Sequence, residues 1–333
     1  MSTAVTGTAT PGRGSVKAFT TTWASQIGIT TAFLLLWLTF IVLAPETFLS
    51  QRIYQSFAQT TPYFAIVALA LTMVIIAGDI DLSFPSIMAL GMVGFVSVWN
   101  ASGSVELGVA ASLAVGGLAG LFNGLIVTAL GIPSLVVTIG TQFLFRGLTL
   151  VLVGGKSFAL VQTQQSPTYD LLAGRILGIP MEFIWLVIAA VASWLLLNRH
   201  RLGQNTYAIG DNRQAAQLMG IPIRRTRIIL FILTGLAAAF AGLMNSLQVV
   251  NFYPTMGDGY LLPTLAAVFV GGTSVFGGRG SIWGTFIGAF MIGGITAGIV
   301  AVGLTDFYTK LIYGAVVLIS VSIHAILQRR FEY

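Results

Sequence analysis

The sequence predicts an all-α polytopic membrane protein of about ten transmembrane helices, and three observations carry that expectation. Of 333 residues, 56% are hydrophobic and 8% are charged, against about 25% charged residues in an ordinary soluble domain. The mean hydropathy of +0.91 is spread over many apolar runs separated by Gly, Pro and polar punctuation. These runs approach the roughly 20 residues that a helix needs to cross a bilayer core about 30 Å thick. The basic residues fall mostly between the runs. The solvent of this chain is therefore largely lipid, and one continuous membrane domain, residues 25–333, follows.

Residues 1–24, rich in Ser, Thr and Gly with Arg13 and Lys17, read as a flexible polar tail. The apolar run from Ile27 to Leu43 is longer than the roughly 7–15 residues of a signal-peptide core and has no small-residue cleavage site after it, so it reads as an uncleaved first span. Spans are expected near 25–45, 61–78, 84–101, 106–130, 134–153, 182–198, 227–250, 261–277, 281–302 and 307–327. The connections at 78–84 and 277–281 are Gly-containing stretches too short for free loops. Eight spans with re-entrant pieces is the competing arrangement. Two connections are long, 154–181, low in charge, and 199–227, which carries six arginines.

Lys and Arg of short loops favour the cytoplasmic side. With the N-terminus inside, eleven basic residues are cytoplasmic: Arg13, Lys17, Arg199, Arg201, Arg213, Arg224, Arg225, Arg227, Arg279, Arg329 and Arg330. Four, Arg52, Lys156, Arg175 and Lys310, fall outside, and Arg146 lies within a span. Both termini and the 199–227 loop are therefore expected in the cytoplasm, with 154–181 external. The net charge of +6 reads as topology, and no nucleic-acid partner is expected. The absence of cysteine removes disulfides, thiolate metal sites and thiol nucleophiles.

Within the basic loop, Asp211-Asn212-Arg213-Gln214-Ala215-Ala216-Gln217-Leu218-Met219-Gly220-Ile221-Pro222 reads as a short helix between two spans. Asp211 or Asn212 can cap its start, and Gly220 with Pro222 stops it. Asp79 and Asp81 interrupt apolar sequence in Gly78-Asp79-Ile80-Asp81-Leu82-Ser83. A carboxylate there must pair or face water. They form either a cytoplasmic turn in which Asp81 or Ser83 caps the next helix, or part of a solute path. Arg146 needs an acceptor or a route to the interface, with a structural partner and solute contact as its two readings. Asn123, Thr138, Thr141 and Gln142 are further polar positions in apolar helices, suited to hydroxyl-bearing solutes or to interhelical hydrogen bonds. Together with Asp79, Asp81, Ser83 and Arg146 they are the candidate translocation path. Val74-Ile75-Ile76-Ala77-Gly78 is echoed by Val268-Phe269-Val270-Gly271-Gly272, each followed by a Ser-Ile start to a Gly/Ala-rich helix, at Ser86 and Ser281. The Gly-rich run 271–280 lacks the Gly-Lys-Ser/Thr of a phosphate loop. His200 and His324 are far in sequence from any carboxylate, so no metal, cofactor or catalytic group is expected.

In order along the chain, Ile76 to Ser83, Asn123-Gly124-Leu125, Gly131-Ile132-Pro133, Thr138-Ile139-Gly140-Thr141, Phe145-Arg146-Gly147, Tyr207 to Asn212, Ala215-Ala216, Leu218 to Ile221 and Ala266 through Ser281 resemble the ribose-type branch of bacterial ABC importer permeases, a family of binding-protein-dependent inner-membrane components. The resemblance implies a ten-helix permease related to the vitamin-B12-type importer fold, in the bacterial inner membrane, translocating a monosaccharide or similar small polyol. It implies three partners: a cytoplasmic ABC ATPase that hydrolyses the ATP, a periplasmic solute-binding protein, and a second permease, identical or not. Gly210, Asp211, Asn212, Ala215, Ala216, Leu218, Gly220 and Ile221 then fall on the family's coupling helix, which sits in a groove of the ATPase. Asp79 and Pro85 stand where the family usually has glycine. Competing readings are an ion-coupled secondary transporter using Asp79, Asp81 and Arg146, and a lipid-directed membrane enzyme, for which no nucleophile, base or metal cluster is visible.

Overall fold

The computed structural model describes residues 14–301 and 307–331, and residues 1–13 of the expected tail lie outside them. The described residues are mostly helical. The chain runs α1 (Gly14–Leu43), α2 (Pro45–Phe48), α3 (Gln51–Ile76), α4 (Phe84–Ser102), α5 (Val105–Ala129), α6 (Ser134–Val153), α7 (Pro167–Ala173), α8 (Met181–Asn198), α9 (Arg201–Asp211), α10 (Arg213–Leu218), α11 (Ile223–Gln248), α12 (Leu261–Val270), α13 (Ile282–Ala301) and α14 (Phe307–Phe331). Among the described residues eight helices, α1, α3, α4, α5, α6, α8, α11 and α13, are long and apolar enough to cross a membrane. Two shorter apolar stretches, Asp258–Val270 and Tyr308–Ser322, accompany them.

The core is built around α3, whose residues from Thr61 to Ile76 are all buried. Apolar side chains occupy every side of that segment, the pattern of a helix surrounded by others, and α8, α11, α12 and α13 pack against it. α3 starts at Gln51, earlier than the expected 61, because aromatic packing extends it toward α1. The rings of Trp37 and Phe57 are 5.2 Å apart, and the Trp37 indole N–H donates to the Tyr54 hydroxyl at 3.2 Å.

Small residues bring α5 and α11 into main-chain contact. Gly116, Gly120 and Gly124 recur every four residues on one face of α5, the spacing that lets two helices approach closely. A Cβ on Gly120 would lie 2.2 Å from the Phe231 carbonyl oxygen, and one on Gly235 would lie 2.2 Å from that of Gly116.

Two helices end in the same way. At the end of α3 Gly78 takes φ +79°, its N–H donates to Ile75 O at 2.9 Å, and Asp79 N donates to Val74 O at 3.1 Å. At the end of α12 Gly272 takes φ +83°, its N–H donates to Phe269 O at 3.0 Å, and Thr273 N donates to Val268 O at 3.2 Å. Both are left-handed caps that only glycine adopts without strain. The sequence echo between these segments is thus matched bond for bond. It also corrects one span. The helix expected over 261–277 stops at Val270, ten residues long, which is about 15 Å of rise and half a bilayer core. Pro85 lies in the first turn of α4, where its missing N–H costs no helical bond.

Residues 154–180 fold at the end of α8 opposite α9. There β1 (Phe158–Ala159) pairs antiparallel with β4 (Asn251–Phe252), β2 (Arg175–Ile176) pairs with β3 (Ile179–Pro180), and Ser166 caps α7.

Gly120→Ala is expected to lower the melting temperature in detergent, at a cost of about 1–3 kcal/mol, because main chain must separate. Gly140→Ala, whose added Cβ meets nothing within 4 Å, is expected to be neutral or slightly stabilising. Equal shifts for the two variants would mean that close approach of α5 and α11 does not hold the bundle.

Candidate functional site

The basic connection between α8 and α11 folds as two helices where the sequence reading expected one. α9 precedes the expected helix. Leu202, Thr206 and Ile209, at helical spacing, bury one side of it, and Leu202 N donates to His200 Nδ1 at 3.1 Å across its start. α10 is the expected helix. Asn212 caps it by accepting from Ala215 N at 3.0 Å, while Asp211 closes α9 instead. Gly220, at φ +74°, stops it, with Ile221 N donating to Ala216 O at 3.1 Å. Ala216 is buried, whereas Leu218 and Met219 project into the surroundings with 90% and 78% of their surface exposed. Met219 was not among the residues singled out from the sequence.

α9 is joined to both helix ends just described. A Cβ on Gly210 would lie 1.7 Å from Ile76 O and 2.6 Å from Gly278 N, so main chain touches main chain there. Gly278 N in turn donates to Ile76 O at 2.9 Å, and the Tyr207 hydroxyl donates to Gly280 O at 2.8 Å. The end of α3, the end of α9 and the segment between α12 and α13 therefore form one glycine-lined joint.

An ion pair braces this joint. Arg227, in the second turn of α11, donates through Nε to Asp79 Oδ2 at 2.6 Å and through its terminal nitrogen to Oδ1 at 2.7 Å. Only 3% of Asp79 and 8% of Arg227 is exposed. Two parallel bonds in a buried place fix direction as well as distance. Arg213 of α10 stands beside the pair: burial and the Arg227 guanidinium lower its pKa, and the Asp79 carboxylate opposes them. The sequence reading placed Arg227 among loop charges. The available signal was an unmatched carboxylate at one helix end and an arginine at the start of another.

Asp81 and its neighbours form a separate polar interior. Asp81 Oδ1 accepts from Ser83 N at 2.8 Å and from Ser83 Oγ at 2.7 Å. Asn123 Nδ2 donates to Ser83 Oγ at 2.7 Å. Ile80 N donates to Ser134 Oγ at 3.0 Å, and Thr138 Oγ1 donates to Ile80 O at 3.2 Å and to Ser134 O at 2.9 Å. Asp81, Ser83, Asn123 and Thr138 are fully buried, and Asp81 Oδ2 and Asn123 Oδ1 have no hydrogen-bond partner among the described residues. Ser83 makes no side-chain cap on α4, and Asp81 bonds Ser83 rather than the first helical N–H groups. Thr141 continues the row by donating to Thr138 O at 3.4 Å, while Gln142 is half-buried and joins none of these bonds.

Arg146 points elsewhere. It donates to the carbonyls of Pro254, of Met256 at 3.0 Å and of Pro85 at 3.2 Å, and it pairs with Asp258. It clamps the start of α4 to the segment leading into α12. The sequence-predicted residues thus divide into a joint (Asp79), a buried polar row (Asp81, Ser83, Asn123, Thr138, Thr141) and a clamp (Arg146).

Residues 53–321 match the family described as branched-chain amino acid transport system / permease component. The chain belongs to that family. The ribose import permease protein RbsC of Escherichia coli K12 is 33% identical over 307 residues, 92% of this chain and 95% of the relative. RbsC of Bacillus subtilis is 33% identical over 257 residues, 77% of this chain and 79% of the relative. The autoinducer 2 import system permease protein LsrD of Yersinia enterocolitica is 31% identical over 276 residues, 78% and 81% of the two chains. No solved structure matches. The resemblance to ribose-type ABC permeases is thereby confirmed, and the permease is a multi-pass protein of the bacterial inner membrane.

Removing one partner of the ion pair, by Asp79→Leu or Arg227→Met, is expected to cost the permease about 3–5 kcal/mol by leaving a buried charge. The double variant is expected to regain most of that loss. Melting in detergent across the four proteins measures it, and strictly additive losses would show that the two side chains act independently.

Proposed function

We propose that this permease is the membrane-spanning subunit of an ATP-driven importer that carries a monosaccharide or similar small polyol inward. The printed names of its relatives, for ribose and autoinducer 2 import, support the solute class. In this reading it crosses the membrane ten times in the vitamin-B12-type arrangement, one pass being the short α12 with the segments that flank it, and both termini are in the cytoplasm. A second permease pairs with it, and a periplasmic binding protein delivers solute at the face formed by residues 154–181. ATP is hydrolysed on a separate cytoplasmic ATPase.

One observation carries the reading. α10 is a short, capped helix that holds Leu218 and Met219 almost wholly exposed, an arrangement that costs free energy unless a partner's groove receives the two side chains. Behind them, buried Ala216 and the glycine joint at Gly210 connect α10 through α9 to the ends of α3 and α12. Movement of an ATPase that grips α10 is then delivered to the places where the bundle is already interrupted. Gly210, Asp211, Asn212, Ala215, Ala216, Leu218, Gly220 and Ile221 build and attach that contact. Asp81, Ser83, Asn123, Thr138, Thr141 and Gln142 supply the solute path, and Asp81 Oδ2 and Asn123 Oδ1, buried and unpaired among the described residues, suit sugar hydroxyl donors once the helices part around them. Asp79 and Arg146 hold the helices around it.

The test is co-purification from detergent with the products of neighbouring genes, followed by ATPase assay. Leu218→Asp and Met219→Asp are expected to reduce the recovered ATPase about tenfold or more each, with permease content of the membrane unchanged. Ala216→Glu and Gly220→Arg, which spoil α10 itself, should do the same. A chain that purifies alone and moves sugar into liposomes under an ion gradient would overturn the reading.

A further inference from the structure

The middle of α1, at Gln26 and Thr30, the part of α8 that leads to α9 and the start of α13 leave a cleft of about 920 Å³. Its chemistry changes along its depth. Trp194 and Trp283 lie close to the ends of α8 and α13, beside the charged connection. Val191 and Val187 follow on α8, about 4.5 and 10 Å deeper by helical rise, and Phe286 lies a turn deeper on α13. The Trp283 indole N–H is taken by Thr30 Oγ1 at 3.3 Å. That of Trp194 has no acceptor among the described residues. Over the Trp194 ring, 5.6 Å from its centroid, lies the Arg199 guanidinium, which is exposed and makes no ion pair among the described residues.

We infer that this cleft binds an anionic phospholipid of the leaflet facing α9 and α10. A free cation and an indole donor at the rim, with aliphatic and aromatic walls below, follow the polarity profile of a phospholipid from headgroup to chain. The phosphate sits on Arg199 and the Trp194 N–H, and an acyl chain lies against Val187, Val191 and Phe286. A stacked arginine loses little by receiving a phosphate, since its edge donors remain free while its face stays on the ring. A protein helix in the same cleft would gain from the walls but would leave that cation unmatched. The lipid touches α8 and α13, the helices that lead into the α9 joint and away from it.

Native mass spectrometry of the full-length chain in detergent, with phosphatidylglycerol and phosphatidylcholine of identical acyl chains added, tests this. Retention of phosphatidylglycerol is expected to exceed that of phosphatidylcholine about fivefold, and Arg199→Gln should abolish the preference. Val191→Trp, which fills the cleft, should release both lipids, with melting temperatures confirming that each variant is folded. Equal retention of the two lipids by the wild type, or unchanged retention by both variants, would overturn the assignment. So would a lipid-free dimer that Val191→Trp separates, which would give the cleft to a second copy. The measurement uses neither transport nor ATPase activity, so its failure leaves the permease reading where it stands.

Discussion

A helix interrupted inside a membrane protein frees backbone donors and acceptors that lipid cannot satisfy. The polar chemistry of this chain is organised around that requirement. Where α3 stops, Ile76 O is taken by Gly278 N, and Ile80 is held on both sides by Ser134 and Thr138. At the start of α4 Arg146 reaches Pro85 O, a carbonyl inside the first helical turn. The same arginine gathers the carbonyls of Pro254 and Met256 on the approach to α12. Ser134, Thr138 and Arg146, which look out of place in an apolar helix, are therefore partners of main chain that has left the helical ladder.

Charge is used in the same economical way. Two of the few carboxylates each meet one arginine, Asp79 with Arg227 and Asp258 with Arg146. Each pair connects an interruption to a continuous helix, one near α9 and the other at the entry to α12. Burial makes the first pair a strong positional device even where its net contribution to stability is small, because misalignment exposes a desolvated charge to apolar surroundings. The bundle is thus pinned at defined points where its helices are interrupted.

Local features were legible in the sequence and non-local ones were not. α10 could be read residue by residue, from Asn212 at its start to Gly220 and Pro222 at its end, because capping is decided within a few residues. The paired ends of α3 and α12 were visible as a short echo, although hydropathy alone carried the second helix on past Gly271, since Val275 and Phe276 prolong the apolar run. α9 was hidden because its buried stripe is only Leu202, Thr206 and Ile209 among polar neighbours. Asp79 and Arg227 lie 148 positions apart, and no local pattern links them. Polarity singled out Asn123, Thr138 and Arg146, but only the fold reveals that the first two bond near Ser83 and Ile80 while the third turns away.

The joint at Gly210, Gly277 and Gly278 consists of main chain against main chain, and a contact without side chains is indifferent to what the rest of the molecule recognises. Asn123 and Gln142, both on the proposed solute path, make no hydrogen bond to the main chain of the joint, so replacements there leave its contacts in place. On the function proposed above, selectivity and force transmission would therefore be separable traits, and one drive mechanism can be inherited unchanged by lineages that diversify in the solutes they take up.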